Sequence, residues 1–236
     1  LPHAQELIAM LRAALSSFSG LVISCNRQRT NVIFGDACKL LWGSDTLEET
    51  LCGLRFSVSA RAFFQVNPVQ TERLYAAVLA YAALTPTDVA VDAYCGAGTI
   101  TLLLARQCRQ AIGVEIVPEA VENARENARS NGVENVAFHA GEAEKWLPQM
   151  LEAGMHPDVV VVDPPRKGCE ETVLLAVAKA QPRRVVYVSC NPATLARDAQ
   201  VLEAQGYPLR EVQPVDMFCW SAGVECVALF ERGRNG

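Results

Sequence analysis

Residues 89–99 read Val-Ala-Val-Asp-Ala-Tyr-Cys-Gly-Ala-Gly-Thr, and the fold follows from this stretch. Its first four residues form a short apolar run that ends in Asp92, as expected of a buried strand. Gly96 and Gly98 then allow the backbone to turn sharply and to come close to a ligand. Because a helical pattern begins at Thr99, the stretch predicts the first strand–turn–helix unit of a parallel sheet.

The same alternation of a short apolar run with a helical pattern repeats along the chain. Strands are expected at 89–92, 111–115, 136–140, 158–163 and 184–189. Helices are expected at 99–106, 118–130, 142–153, 170–180 and 192–205. Pro118 and Pro192 suit the first positions of helices, and Gly132 and Gly206 suit the positions just after helices end.

Two further apolar runs, 211–218 and 224–230, come last. The connector between them is too short for a crossover helix, so these strands are expected to be antiparallel neighbours. Five strand–helix units followed by such a hairpin predict an α/β fold with a Rossmann-like sheet of seven strands, one of them reversed. Many S-adenosylmethionine-dependent methyltransferases have this architecture.

Residues 1–67 follow a different pattern, which predicts a small α+β segment rich in strands. A helix is expected at 5–18, and strands are expected at 21–25, 31–34, 46–52 and 54–60. A tight turn is expected at Cys52-Gly53. Asn67-Pro68 marks the boundary, and a helix at 68–83 leads into the main domain, residues 68–236.

The composition is that of a globular protein of a reducing cytoplasm. The chain is 50% hydrophobic and 20% charged, and no stretch approaches the roughly 20 apolar residues of a membrane helix. The N-terminus lacks the pattern of a signal peptide, and a chain that starts with leucine is expected to be a piece of a longer protein. Nine cysteines without a C-x-x-C pair indicate neither a zinc site nor a disulfide framework.

The charge of the chain bears on its partners. A formal net charge of −5 and a pI near 5.3 argue against a broad nucleic-acid surface. Any grip on RNA is therefore expected to be local or to come from sequence outside this chain. The sequence as a whole implies no metal site, no association with a membrane and no particular oligomer.

The glycine turn has two interpretations, a tight structural turn or a ligand loop. Glu115 favours the ligand loop, because it ends the next strand 17 positions after Gly98, where an acid can accept both hydroxyls of an adenosine ribose. A pyrophosphate is disfavoured, because Thr101 stands where the third glycine of the dinucleotide pattern belongs. An adenosine-containing ligand is the expectation.

A second acid ends a strand at Asp163, and the two prolines that follow stiffen its loop. The alternative is a strand end with a rigid turn and no ligand. Related loops, in which an aromatic residue follows the two prolines and stacks on the target, occur in enzymes that methylate amino nitrogens, and here Arg166 takes that place. An exocyclic amine is therefore disfavoured as the acceptor.

Cys190 stands between a strand end at Ser189 and a helix that begins at Pro192. A cysteine there is either an inert small hydrophobe or a nucleophile, and the helix N-terminus is expected to lower the pKa of its thiol. Glu225 lies inside the last strand and points either to solvent or into the site. Beside Cys190 it would serve as a base.

Taken together, these motifs resemble the family of RNA uracil-C5 methyltransferases, which make 5-methyluridine in transfer RNA and large-subunit ribosomal RNA. The resemblance runs from about residue 56 to residue 232. It is carried by Phe63-Phe64-Gln65-Val66-Asn67-Pro68, by residues 92–98 and 163–168, by Val188-Ser189-Cys190-Asn191-Pro192, and by Asp216-Met217-Phe218 with Val224-Glu225.

The resemblance implies a role for each site residue. Cys190 would be the nucleophile that adds to C6 of uracil, and Glu225 the base that removes the C5 proton. The target uridine would leave the RNA stack, with the N-terminal segment helping to hold the RNA. The implied cofactor is S-adenosylmethionine at the turn formed by Gly96 and Gly98, with contacts from Gln65, Tyr94, Thr99, Glu115 and Asp163 and with Glu142 beside the adenine.

The chain departs from the family pattern next to the implied base. The family usually has a proline after Asp-Met-Phe and a histidine two residues before the Glu, whereas this chain has Cys219 and Gly223. The loop that presents Glu225 would then be looser, or its RNA preference altered. The RNA-binding barrel of many members and the iron–sulfur cysteine cluster of some are not recognisable in this sequence.

Residues 163–168, followed by Cys169 and a helix, look more like the ribosomal-RNA members, so 23S ribosomal RNA is the expected substrate and transfer RNA the alternative. Two other interpretations stay open. A methyltransferase for another acceptor would have no use for Cys190 or Glu225. A methyltransferase-like domain that only binds RNA or a partner would fit the changed loop at Gly223.

Overall fold

The computed structural model describes residues 1–26, 37–59 and 64–233. The strand expected at 31–34 and the motif residue Phe63 lie outside these ranges. The elements of the N-terminal part are α1 (Ala4–Ala14), β1 (Gly20–Cys25), β2 (Ala37–Gly43), β3 (Thr46–Leu51) and β4 (Leu54–Ser59). Strand β1 pairs with β2 and β3 pairs with β4, each pair antiparallel.

The turn between β3 and β4 is as expected. Leu51 pairs with Leu54, and both connecting residues have positive φ, 51° at Cys52 and 73° at Gly53. Two consecutive positive φ angles are the mark of the tight turns that match strand twist in hairpins. Strand β2 was not predicted, and α1 ends at Ala14 rather than at 18 because Leu15 is already extended.

The main part begins with α2 (Pro68–Ala82) and continues as five strand–helix units and a hairpin. Their bounds are β5 (Val89–Asp92), α3 (Thr99–Ala105), β6 (Gln110–Glu115), α4 (Pro118–Ser130), β7 (Val136–Ala140), α5 (Ala143–Glu152), β8 (Val159–Val162), α6 (Glu171–Lys179), β9 (Arg184–Ser189), α7 (Pro192–Ala204), β10 (Leu209–Val215) and β11 (Glu225–Glu231).

These strands form one seven-stranded sheet in the order β10-β11-β9-β8-β5-β6-β7. Strand β11 is antiparallel to both of its neighbours, and the other pairs are parallel. The predicted fold is therefore confirmed. The last hairpin is displaced from its expected limits, since β10 ends at Val215 and the chain turns there, with the Met217 N–H donating to the Val215 carbonyl at 3.0 Å.

Burial on both faces explains why the central strands are mostly apolar. All four residues of β5 and all four of β8 are buried, because helices cover both faces of the sheet. Helices α2, α3 and α4 contribute to the core on one face, and α5, α6 and α7 to the core on the other. Of the helices in the described ranges, none combines the length and apolar character that crossing a membrane requires.

The predicted helix ends are confirmed at both glycines. Gly132 and Gly206 have φ of 64° and 86° directly after the last turns of α4 and α7. Beyond each glycine, a backbone N–H reaches back to a carbonyl of the helix: Val133 to Ala128 and Tyr207 to Leu202, both at 3.0 Å.

The β3–β4 hairpin is attached to the main part through α4. The Asn131 side chain accepts from Arg55 N at 2.8 Å and donates to the Arg55 carbonyl at 2.6 Å. Asn127 accepts from Ser57 N at 2.9 Å. Leu54 and Phe56 of the hairpin are buried in the same core as the helices on that face, so this hairpin has a fixed place beside the sheet.

Candidate functional site

A cleft of about 730 Å³ opens where the five parallel strands of the sheet end. The strand order reverses beside β5, and in open α/β sheets ligands bind in the crevice at such a point. The volume lies within the range of small-molecule sites. The cleft is lined by every predicted site residue except Gly98: Gln65, Tyr94, Gly96, Thr99, Glu115, Glu142, Asp163, Cys190 and Glu225.

Gly96 and Gly98 differ in why the structure requires a glycine at each position. Gly96 has φ of 51°, and a Cβ placed on it would meet no atom within 4 Å, so the backbone there faces open space. Gly98 has φ of 84° at the start of α3, and its Cβ would lie 3.0 Å from the Ala124 Cβ and 3.1 Å from the Phe138 ring. Gly98 therefore shapes the packing behind the turn.

Glu115 is tied to the glycine turn. One carboxylate oxygen accepts from Gly96 N at 3.1 Å, and the other accepts from Val117 N at 2.9 Å. A carboxylate has about four acceptor positions, so both oxygens keep capacity for a ligand hydroxyl. The strand-end acid and the turn are thus held together as one unit.

Asp92 was not assigned to the site from the sequence, although it closes the first strand. It is 1% exposed, and one oxygen accepts from the Thr101 hydroxyl at 2.7 Å. The other oxygen has no hydrogen-bond partner among the described residues, and Asp92 lines the cleft. Burial raises the pKa of its carboxyl to about 6. An orphaned buried oxygen beside a cleft is an acceptor for a ligand.

Asp163 and Glu225 add two more carboxyl groups to the cleft. The pKa of Asp163 is raised to about 7, first by burial and then by the charges of Asp92 and Glu225. Burial also raises the pKa of Glu225, which is 4% exposed. Of the two orientations open for Glu225 in the sequence, the structure shows the one into the site.

The sheet register explains how Cys190 and Glu225 meet. Cys226 pairs with Ser189 in the antiparallel ladder between β11 and β9. Continuing this register by one residue brings Glu225 opposite Cys190, and both line the cleft. A thiol and a carboxyl that lie far apart in sequence thereby share one end of the site.

The predicted effect of the helix N-terminus on Cys190 is wrong. The pKa of the thiol is raised, first by burial and then by Glu225 and Asp163, and a backbone hydrogen bond and Arg166 oppose this only in part. The side chain of Asn191 already caps α7 by accepting from Ala193 N at 3.1 Å. Burial and two nearby acids therefore set the direction of this pKa shift, which is opposite to the one expected from the helix N-terminus.

The loop after Asp163 is clamped onto α7 by side chains that the sequence analysis missed. Asp198 is 1% exposed and accepts from Cys169 N at 2.8 Å and from the Tyr187 hydroxyl at 2.6 Å. Arg197 donates to the Lys167 and Cys169 carbonyls at 3.0 and 3.1 Å. Because α7 begins just after Cys190, this clamp sets the loop relative to the thiol.

Tyr75 is another cleft residue that the sequence analysis missed. It is buried, and its hydroxyl lies 3.2 Å from the Thr99 hydroxyl, which ties α2 to the start of α3.

Glu142 precedes α5 and pairs with Lys145 at 2.5 Å. In the described ranges, no group of three or more His, Cys, Asp or Glu residues is placed to hold a metal ion.

The raised pKa of Asp163 predicts a pH-dependent stability. The unfolded chain releases this proton near pH 3.8, whereas the folded chain holds it up to about pH 7. The carboxyl therefore lowers the free energy of unfolding progressively as the pH rises from about 4 to 7. Asp163→Asn is expected to stabilise the protein by about 2 kcal/mol at pH ~8, the full shift being discounted because the side chain partly faces the cleft.

Urea unfolding at pH ~4 and ~8 measures this effect, and at pH ~4 the variant and the original protein should differ little. Glu152→Gln is the matched control, because Glu152 is exposed and lies outside the cleft. An equal gain from Asp163→Asn at both pH values would show that folding does not raise the pKa of this carboxyl.

Comparison with known proteins gives a consistent result. Residues 35–233 match the family model described as tRNA (Uracil-5-)-methyltransferase. An uncharacterized RNA methyltransferase of Clostridium acetobutylicum is 49% identical over 231 residues, and one of Halalkalibacterium halodurans is 52% identical over 231 residues. Each comparison covers 98% of this chain and 50% of the relative, so the chain spans about half the length of these relatives.

Solved structures show the same similarity. The tRNA (uracil-54, C5)-methyltransferase of Pyrococcus abyssi, in complex with S-adenosyl-L-homocysteine, superposes with a TM-score of 0.73 at 29% identity, covering 91% of this chain and 51% of that chain. The tRNA m1G37 methyltransferase of M. jannaschii gives a TM-score of 0.63 at 14% identity, covering 98% of this chain and 68% of that chain, which is a likeness of fold alone.

Proposed function

Since the chain belongs to the RNA uracil-C5 methyltransferase family, we propose that it transfers a methyl group from S-adenosylmethionine to C5 of a uridine in structured RNA. The observation that carries this proposal is the meeting of Cys190 and Glu225 at one end of a cleft. A methyltransferase for an amino nitrogen would need neither residue. Residues 68–236 would carry the catalysis, and residues 1–67 would help to hold the RNA.

The cleft has the features that this cofactor needs. Gly96 leaves open space beside the strand end, and Asp92 offers an acceptor oxygen that no described residue of the chain hydrogen-bonds. We propose that Glu115 accepts from the ribose hydroxyls and that Glu142 flanks the adenine. When bound, the cofactor supplies an electrophilic methyl group on a sulfonium. The remaining contacts would come from Gln65, Tyr94, Gly96, Thr99 and Asp163, with Gly98 shaping the turn.

The protein's own residues would do the rest of the chemistry. Uracil C5 is a poor nucleophile, so the Cys190 thiolate first forms a bond to C6, and the displaced electron pair leaves an enolate that is nucleophilic at C5. After C5 has been methylated, Glu225 takes the C5 proton. The electrons of that C–H bond re-form the C5–C6 double bond, and the thiolate leaves C6. The raised pKa of Glu225 suits it to accept this proton.

The proposal also includes the class of RNA that is methylated. The sequence of residues 163–168 with Cys169 favours a uridine of 23S ribosomal RNA. The observation favouring transfer RNA is the similarity to the Pyrococcus abyssi enzyme, which acts on a tRNA uracil. Mass spectrometry of both RNA classes, isolated from cells that lack the whole gene, decides between them by the uridine whose methylation is lost.

A covalent adduct with RNA that contains 5-fluorouridine tests the function as a whole. With fluorine at C5 there is no proton for Glu225 to remove, so the protein should remain bound through Cys190 after methyl transfer. The adduct is read as a slow band on a denaturing gel and by mass spectrometry. RNA binding without an adduct would instead support a domain that only binds RNA. Methylation of another acceptor with no adduct would support a different methyltransferase class.

Glu115→Ala is expected to weaken the binding of S-adenosylmethionine by about 1.5 to 3 kcal/mol, the range for losing a hydrogen bond to a charged group. The substitution also frees Gly96 N and Val117 N from their shared acceptor. Calorimetry measures the affinity, with Glu126→Ala on the exposed face of α4 as the matched control. An unchanged affinity for Glu115→Ala would remove this carboxylate from the cofactor site.

A further inference from the structure

Trp220 is exposed in a way that folding alone does not explain. Its relative exposure is 102%, so its whole ring is open to solvent. Its backbone φ is 79°, in the left-handed region that bulky residues rarely adopt. A residue held in this region costs on the order of 1 kcal/mol or more, and such strain recurs at functional sites as well as in tight turns such as that of Cys52.

A hydrogen-bonded turn holds the backbone of Trp220 in this place. The Ser221 N–H donates to the Phe218 carbonyl at 3.0 Å, which closes a four-residue turn with Trp220 at its third position. That position with positive φ is normally filled by glycine or asparagine. The Ser221 hydroxyl also donates to the Phe218 carbonyl at 2.8 Å and accepts from Gly223 N at 3.1 Å.

The start of this loop is anchored to the rest of the protein. Met217 is 1% exposed, and its carbonyl accepts from the Asn67 side chain at 3.2 Å. On the other side of the turn, Glu225 begins β11 and lines the cleft. Trp220 is thus presented by a short anchored loop that leads directly to the acid opposite Cys190.

The surroundings of the loop favour a nucleic acid as the partner. Arg166 and Lys167 are exposed and line the same cleft as Glu225, among several acids, and Lys167 pairs with Glu170 at 2.6 Å. Arg166 is therefore the cation placed to meet a phosphate at this edge of the site. The residues after Trp220 are Ser221, Ala222 and Gly223, too small and polar for the apolar centre of a protein interface. A fully exposed indole on a loop that leads into the cleft suits an unpaired base, because every base has a face on which to stack.

We propose that Trp220 stacks on an unpaired base of the RNA, next to the uridine that enters the cleft. This inference rests on the proposed function for the identity of the RNA. The ring would fill the gap that opens when the target uridine leaves its neighbours, and would hold the adjacent base outside the cleft. The proposed stacking gives a role to the loop in which the chain departs from the family pattern, at Cys219 and Gly223.

Binding of two probes to the whole 236-residue chain tests the proposal. One probe is a short oligouridine, and the other is an abasic oligomer of the same length, which keeps the sugars and phosphates but offers no base. Trp220→Ala is expected to weaken oligouridine binding about tenfold, within the range for one stacked base, and to leave binding of the abasic oligomer unchanged. Trp220→Phe, which keeps a ring, should restore most of the loss.

Matched controls and outcomes separate this inference from the proposed function. Met155→Ala removes a partly exposed apolar side chain beyond α5, outside the cleft, and should change neither affinity. Equal affinities of the original protein and Trp220→Ala for oligouridine would overturn the stacking role, even if the 5-fluorouridine adduct forms. Loss on Trp220→Ala without any adduct in the original protein would support the stacking role and overturn the proposed chemistry. Equal losses on both probes would also overturn stacking, since that result places the effect on the backbone.

Discussion

Cys190→Ala is expected to abolish both the formation of 5-methyluridine and the covalent complex with 5-fluorouridine RNA. Without the thiolate, no bond to C6 forms and C5 is never made nucleophilic. The rate should fall by at least about 10³-fold, as is usual when the nucleophile of a covalent mechanism is removed. Radiolabelled methyl transfer to RNA measures the rate, and the denaturing gel measures the adduct.

The control for this substitution is another cysteine of the main part. Cys108 lies just beyond α3 and outside the cleft, and Cys108→Ala should leave both the adduct and the rate nearly unchanged. Cofactor binding by Cys190→Ala should also persist, which shows that the fold is intact. Retained methylation by Cys190→Ala would rule out the C6 adduct and favour a methyltransferase that acts on another acceptor.

The parallel part of the fold could be predicted because each of its units carries its own signals. Buried strands such as Val159–Val162 read as continuous apolar runs, and Gly132 and Gly206 mark where helices end. Predicted and observed element limits in this part coincide or differ by one residue, which is within the ordinary uncertainty of helix and strand ends. The position of the cleft could also be predicted from the sequence, because acids at the ends of parallel strands meet at one edge of the sheet.

The N-terminal part was harder to predict because its signals are weak. Strand β2 has no clear alternation of apolar and polar residues, and it forms by pairing with β1. Pairing partners of this kind are set by tertiary context rather than by local propensity. The β3–β4 hairpin was predicted, because its apolar alternation and its tight turn are both local features.

Site properties that depend on neighbours distant in sequence could not be predicted. The thiol of Cys190 was expected to have a lowered pKa from the helix that follows it, but Glu225 and Asp163 come from other strands and raise it. The clamp around Asp198 also joins residues that are individually unremarkable in the sequence, with Cys169 lying 29 positions away. Only the folded chain shows that these groups converge.

Glu225→Gln is expected to separate the steps that Cys190→Ala removes together. Gln has nearly the same shape as Glu, so the start of β11 and its pairing with Val215 should persist. The thiolate can still add to C6 and C5 can still be methylated, but an amide cannot take the C5 proton at this stage. The methylated RNA should therefore stay bound to the protein through Cys190, even with ordinary uridine.

A denaturing gel with ordinary RNA measures this trapped complex, and mass spectrometry should find the methyl group on the attached RNA. The double variant Cys190→Ala with Glu225→Gln should show no complex, because the trap requires the sulfur bond. The pH provides a further check: protonation of Glu225, whose pKa is raised by burial, should slow release in the original protein as the pH falls. Normal turnover by Glu225→Gln would mean that another group, such as Asp163 or a water molecule, removes the C5 proton, and Glu225 would then lose its role as the base.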